Sequence, residues 1–208
     1  MRSPTWIRWS GLAALLGGLV WTISWLLNTQ TAEGNRAVLG FTEGNLRAML
    51  NLPVLLLLAG LVGLYRLHAG RCGKLGTLGF GLTLLGMALL LVGNITEYGL
   101  LGDPTDGRGW ALIGFGFLVI PVGMLLFGIA VIRADVLPRW RRVLPLLVGL
   151  ALVGAIGIAL VEMQACGCGR ADRGLGVWLF SFGLGWMALG YSLWAARGRE
   201  TGQAIARA

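Results

Sequence analysis

Long apolar runs alternate with short polar segments along this chain. Six runs are found, at about 10–28, 47–66, 75–95, 110–132, 143–162 and 175–195. A helix needs roughly 20 apolar residues to cross about 30 Å of hydrocarbon, and each run has about that length. The pattern predicts an all-α polytopic membrane protein, a six-transmembrane-helix bundle, in which residues 1–208 form a single integral membrane domain.

Composition agrees with this prediction. The chain is 56% hydrophobic and 12% charged, with a mean hydropathy of +0.77, whereas soluble domains carry about 25% charged residues. So few polar groups cannot cover a surface in water. We therefore expect lipid to be the solvent for most of the chain, and we exclude a separate soluble domain.

The net charge of +8 is distributed unevenly between alternate loops. Twelve basic residues fall on one side, namely Arg2, Arg8, Arg66, Arg71, Lys74, Arg133, Arg139, Arg141, Arg142, Arg197, Arg199 and Arg207. Five fall on the other, namely Arg36, Arg47, Arg108, Arg170 and Arg173, together with most of the acids. The positive-inside rule predicts a multi-pass protein of the inner (plasma) membrane with both termini cytoplasmic. Because the basic residues lie in short loops, we expect no nucleic acid partner.

Two segments resemble each other. PVLLLLAG at 53–60 and PVGMLLFG at 121–128 agree at five of eight positions, and a basic loop follows each. The similarity suggests a duplicated helix hairpin, with helices 2–3 matching helices 4–5. Chance similarity between leucine-rich helices is the alternative.

Glycine and proline occur inside the runs. The chain has 35 glycines, and the third and sixth runs contain Gly76, Gly79, Gly81, Gly86, Gly93, Gly176, Gly183, Gly185 and Gly190. Small residues let membrane helices approach closely, so we expect tight packing at these positions; a glycine-lined pore is the alternative. Pro53 and Pro121 each remove a backbone donor and predict kinks in helices 2 and 4.

Ionisable residues avoid the centres of all six runs. Ion-coupled transporters usually need such a group in the membrane, so secondary active transport is disfavoured. The single histidine, His68, falls in the basic segment YRLHAGRCGK. We expect it to be a solvated loop residue.

Polar groups converge at the other ends of the helices. Glu97 ends the third run, Glu162 ends the fifth, and Glu43 with Arg47 opens the second. If helices 3 and 5 are neighbours, the two glutamates could face each other or pair with Arg47 or Arg108. We expect either a solvated acidic rim with incidental ion pairs or a site for a cation or polar ligand.

A cysteine pair follows the fifth run, in the sequence ACGCG. Cys166 and Cys168 are separated by one glycine, a spacing that strains a disulfide unless the chain bends. Two soft sulfur ligands would suit Cu(I) or Zn, but they are only half of a structural zinc site. A bound metal, a local disulfide and thiols without a special role all stay open, and we expect no resident cofactor.

Three functions fit these features. The first is a non-catalytic accessory or assembly subunit that packs through glycine-rich helix faces against itself or other membrane proteins in the lipid bilayer. The second is a facilitator of a small solute that uses the proline-containing helices. The third is an outer-face metal or redox protein built on the cysteines. No nucleophile–base pair supports an enzyme, and the use of arginine in place of lysine is typical of bacterial proteins from GC-rich sources.

Overall fold

The protein is helical throughout the part of the chain that the structure describes. The computed structural model describes residues 4–31, 40–68, 71–99, 107–134, 139–166 and 172–195, which contain no strand. The helices are α1 Pro4–Thr31, α2 Glu43–Met49, α3 Asn51–His68, α4 Gly73–Tyr98, α5 Trp110–Ala134, α6 Arg139–Arg142, α7 Leu144–Cys166 and α8 Asp172–Ala195. The predicted all-α fold is confirmed.

Five segments are long and apolar enough to cross a membrane. They are Thr5–Asn28, Gly44–His68, Gly73–Tyr98, Trp110–Ala134 and Leu144–Glu162. The second combines α2 with α3, and the sixth predicted run coincides with α8, whose apolar part Leu179–Ala195 is described. These helices confirm a multi-pass membrane protein.

The long helices form a ring. Each packs against its neighbours in the chain, in the order α1, α3, α4, α5, α7, α8, and α8 closes the ring against α1. Consecutive helices are antiparallel, so two ends can be defined. The acidic end carries Glu43, Glu97 and Glu162, and the basic end carries Arg8, Arg66, Lys74 and Arg133.

Glycines spaced by seven residues allow α4 and α5 to approach each other. A Cβ added at Gly86 would lie 2.9 Å from the Ile120 nitrogen and 3.1 Å from the Gly116 oxygen. No larger side chain fits between backbones this close. The same reciprocal contact recurs along the interface at the pairs Gly79–Gly123, Gly86–Gly116 and Gly93–Gly109.

A second glycine interface joins α1 to α8. Gly11 faces Gly190, and Gly18 faces Gly183, where an added Cβ would lie 2.5 Å from the Gly183 oxygen. The predicted close packing at glycine is therefore found at both interfaces, within this chain. Gly81 differs, because no atom of the described residues lies within 4 Å of its Cβ position.

Large side chains fill the centre of the ring. Trp186, Phe127, Met124, Leu61 and Leu64 have no exposed surface. The side chains exposed on the outside of the bundle are also apolar, among them Leu55, Leu85, Phe115, Leu147 and Val161. An apolar exterior around a packed core is the arrangement that lipid requires.

The two prolines differ in their effect on the helices. Pro53 follows the break between α2 and α3 at Leu50, whereas α5 continues without interruption through Pro121. The corresponding helices α3 and α5 each pack mainly against the long helix before them, α1 and α4 respectively. Duplication of the hairpin stays a prediction.

The prediction for His68 was wrong. α3 continues through this residue, whose exposure is 0%. Its Nδ1–H donates a hydrogen bond to the Leu64 oxygen at 2.8 Å, and its ring meets Phe127 edge-on at 6.3 Å between centroids. Continuation of the helix places His68 four residues after Leu64, on the same buried face.

Candidate functional site

Arg47 is the centre of a polar and aromatic cluster at the acidic end. Its Nη1 donates a hydrogen bond to the Tyr98 hydroxyl at 2.9 Å. Its guanidinium carbon lies 5.6 Å from the centroid of the Tyr98 ring and 5.2 Å from that of Trp110. These are cation–π distances. α2, the end of α4 and the start of α5 therefore meet around one cation.

The break between α2 and α3 leaves the backbone beside Arg47 open to a side chain. The last turn of α2 closes with the Leu50 N–H on the Arg47 oxygen at 3.1 Å, and Pro53 lies in the first turn of α3, where a missing N–H is tolerated. Asn94 on α4 donates to the same oxygen at 2.8 Å. It also donates to Asn51 Oδ1 at 2.9 Å. A side chain of the neighbouring α4 thus provides a hydrogen-bond donor for the backbone oxygen at the helix break, which is required where no water can provide one.

Glu97 lies one turn further along α4 and is 3% exposed. Its Oε2 accepts a hydrogen bond from the Gly109 N–H at 3.0 Å, and the Gly109 oxygen accepts from Ile113 in the first turn of α5. A carboxylate at this position satisfies a free helix N–H and favours the positive end of the helix dipole. Glu97 is therefore a buried cap of α5 and not part of a solvated rim.

Glu97 and Glu162 were expected to face each other if their helices were neighbours. The two helices, α4 and α7, are not neighbours, because α5 lies between them in the ring. Glu162 is half-buried near the end of α7. Glu43 is the first residue of α2, and its side chain lies outside the described residues.

A small cavity lies inside the ring beside this cluster. Its volume is about 50 Å³, enough for a few water molecules. The indole N–H of Trp25 is buried and has no hydrogen-bond partner among the described residues, whereas that of Trp21 donates to the Leu179 oxygen at 3.1 Å. The lining residues come from α1, α2, α4, α5 and the break after α2, and are Trp21, Trp25, Arg47, Leu50, Leu90, Asn94, Tyr98, Trp110, Ile113 and Phe117.

This arrangement can hold water or a small group with hydrogen-bond acceptors. Arg47 and Trp25 carry N–H donors beside the cavity, whereas the Asn94 amide already donates to the Arg47 oxygen and to Asn51 Oδ1. The remaining walls are mainly aromatic or aliphatic. Toward the basic end the ring is filled by Leu57, Leu61 and other core side chains. The cavity therefore belongs to the acidic end, and core side chains close it on the side that faces the basic end.

The candidate metal ligands are only partly described. Cys166 ends α7, its side chain lies outside the described residues, and Cys168 lies outside them altogether. The described His, Cys, Asp and Glu side chains form no group of three that could hold a metal. Copper or zinc at the cysteine pair stays a prediction from the sequence.

Cys72 is the described thiol at the basic end. It is half-buried, and burial raises the pKa of its thiol, because the charged thiolate is poorly solvated there. Cys72 is therefore a weak nucleophile near neutral pH.

Sequence reasoning identified Arg47 and Glu97 but missed the residues that hold them. Asn51, Asn94, Tyr98 and Trp110 were not among the candidates. Asparagine close to the end of an apolar run was the available signal, since amide groups in membrane helices usually bond across to another helix.

Comparison with protein-family models, with curated proteins and with solved structures found no match.

Proposed function

We propose that this chain is a non-catalytic integral membrane protein, an accessory or assembly subunit that associates with another membrane protein or with itself. The observation that carries the proposal is the packed centre of the ring, which Trp186, Phe127 and Met124 fill without exposed surface. A filled centre favours a structural, accessory role over a role in conducting solutes.

The placement of charge supports the same function. In the described spans the charged residues, such as Arg8, Lys74, Glu97 and Arg133, lie within two turns of an end. Transport of ions or protons usually depends on ionisable groups deeper in the membrane. The acidic end is instead built as a rigid cluster around Arg47.

Two glycines offer surfaces for a partner. Gly114 on α5 and Gly157 on α7 are exposed, and no atom of the described residues lies within 4 Å of their Cβ positions. Glycine inside a helix costs about 1 kcal/mol relative to alanine, and none of the described side chains uses the space. Close approach of another helix at these positions would use it.

We infer that the protein crosses the bacterial inner membrane six times, with α8 as the sixth span and both termini cytoplasmic. The twelve-to-five bias of basic residues supports this orientation. At the basic end, the guanidinium carbon of Arg66 lies 5.4 Å from the Trp6 ring centroid, a pairing suited to a membrane interface. Under this orientation the acidic end faces outward.

The test of the accessory function is the mass of the native assembly. The protein is extracted from its own membrane in a mild detergent and weighed by native mass spectrometry. We expect a stoichiometric complex, with another membrane protein or with a second copy, that Gly114→Leu or Gly157→Leu dissociates and Gly81→Leu does not. A monomer in every detergent would overturn the proposal.

The facilitator is the second candidate, and one observation favours it. Two residues that line the acidic-end cavity, Leu50 and Phe117, precede Pro53 and Pro121 by about one turn. Proline-containing helices next to a cavity are a feature of transporters. Faster flux of small neutral solutes in vesicles containing the protein than in empty vesicles would favour this candidate over the accessory function.

A further inference from the structure

An open groove runs along the outer face of α4 from the basic end. It is lined by Gly73, Lys74, Thr77, Leu78, Gly81, Leu82 and Leu85 and has a volume of about 850 Å³. It lies outside the ring, on the opposite half of the bundle from the Arg47 cluster. The accessory function proposed above does not use it.

Glycine opens the floor of the groove. No atom of the described residues lies within 4 Å of the Cβ position of Gly81, while Leu78 and Leu85 are exposed by 56% and 52% on either side of it. Gly81 is exposed, and this distinguishes it from Gly79 and Gly86, which face α5. The groove is therefore an open apolar depression along one face of α4, at the depth of the hydrocarbon.

The mouth of the groove is positively charged. Lys74 is exposed in the first turn of α4, and the exposed Arg71 precedes the helix. The described acidic side chains, Glu97 and Glu162, lie at the acidic end of the bundle. A basic mouth above an apolar groove is complementary to a molecule with an anionic head and an apolar tail.

The length of the groove matches one leaflet of a bilayer. Lys74 and Leu85 are eleven residues apart, which is about 16 Å along a helix axis. One leaflet contributes about 15 Å of a 30 Å hydrocarbon core. An acyl chain that begins at Lys74 therefore ends near Leu85.

A second copy of the chain is a poorer occupant. Two parallel copies that met on this face would bring their Lys74 side chains together, and the described carboxylates at the far end could not neutralise them. Like charges at a membrane interface repel. The positive charge of Lys74 thus favours an anionic lipid over a second copy of the chain.

We propose that this groove is a binding site for an anionic phospholipid. The phosphate pairs with the Lys74 ammonium group, and one acyl chain lies over Gly81 between Leu78, Leu82 and Leu85. The accessory function and this site are independent, since the lipid site needs only that α4 spans the membrane.

The test measures lipid-dependent thermal stability of the purified protein in detergent, with phosphatidylglycerol or phosphatidylcholine added. In the wild-type protein we expect phosphatidylglycerol to raise Tm at lower concentration than phosphatidylcholine. Lys74→Gln should weaken the apparent affinity for phosphatidylglycerol about fivefold, the worth of one basic residue at an anionic surface. Gly81→Leu should weaken the effects of both lipids, because it fills the groove.

Two matched variants serve as controls. Arg133→Gln removes an exposed charge from the same end of the bundle, and Ala111→Leu adds the same bulk at an exposed position on α5, away from both proposed surfaces. Both should keep the wild-type response to each lipid. Equal effects of the two lipids on the wild-type protein, or an unchanged response in Lys74→Gln, would overturn the proposal. All four sites are exposed, so the variants are expected to fold.

Discussion

Asn94 donates a hydrogen bond to the main-chain oxygen of Arg47 across 2.8 Å, from the last turns of one helix to the broken end of another. The bond joins α4 to α2 next to the break at Leu50 that interrupts the second span. One amide thereby secures both the helix break and the segment that carries the Arg47 side chain.

Asn94→Leu is therefore expected to destabilise the protein by about 1–2 kcal/mol. The substitution removes bonds to the Arg47 oxygen and to Asn51 Oδ1, and a buried acceptor without its partner is costly. Thermal unfolding in detergent measures the change. Thr96→Val, on the exposed face of the same helix, is the control and should stay within about 0.5 kcal/mol of wild type. Equal stability of the two variants would contradict the role of Asn94.

Gly86 and Gly81 provide a matched pair on one helix. Gly86→Ala places a Cβ 2.9 Å from the Ile120 nitrogen, so α4 and α5 must move apart, at a cost of about 1–3 kcal/mol. Gly81→Ala meets no atom of the described residues within 4 Å and should stabilise by up to about 1 kcal/mol through helix propensity. Denaturant titration of both variants gives the comparison. A neutral Gly86→Ala would mean that α4 and α5 are not packed at this position.

Glu97→Ala should loosen the start of α5. The carboxylate accepts from the Gly109 N–H, and removing such a cap costs about 0.5–2 kcal/mol. Hydrogen–deuterium exchange should accelerate at residues 109–113 and stay unchanged in the middle of α5. Glu162→Ala on α7 is the control, and we expect no change at the start of α5. Unaltered exchange in Glu97→Ala would show that the cap is dispensable.

Alkylation of Cys72 should have a pH profile shifted upward. Because burial raises the pKa of this thiol, the reactive thiolate forms only at higher pH than in a free cysteine, and the rate falls as the pH decreases. The rate is measured against pH in a Cys166→Ser, Cys168→Ser background, with denatured protein as reference. A folded-state midpoint at or below the denatured one would contradict the burial of Cys72.

At the acidic end, some residues of the candidate site could be predicted from the sequence and others could not. Arg47 and Glu97 were identifiable because charged residues near apolar runs are rare. Their partners were not, since Asn94 is 47 positions from Arg47 and only the packing of α2 against α4 brings them together. The burial of Glu97 likewise depends on the return of the chain at Gly109.

The prediction that His68 is a solvated loop residue was wrong for a related reason. A histidine among Arg66, Arg71 and Lys74 reads as a loop residue, because its neighbours in the chain are basic. The helix instead continues past Arg66 and places the imidazole beside Phe127 of another helix. Local composition could not show which face of the last turn is covered.

Hydrophobicity by itself determined that the chain is a helical membrane protein. Inside hydrocarbon every backbone polar group must be hydrogen-bonded within a helix or a closed barrel. Runs of about 20 apolar residues have the length that a membrane-spanning helix needs. The order of the ring, the pairing of Gly86 with Gly116 and the cluster around Arg47 were decided only by tertiary structure. Lipid solvates apolar side chains on every face of a helix equally well, so hydrophobicity does not distinguish the face that packs from the face that meets lipid. Shape and a few buried polar groups make that distinction, and they act only between helices that are already side by side.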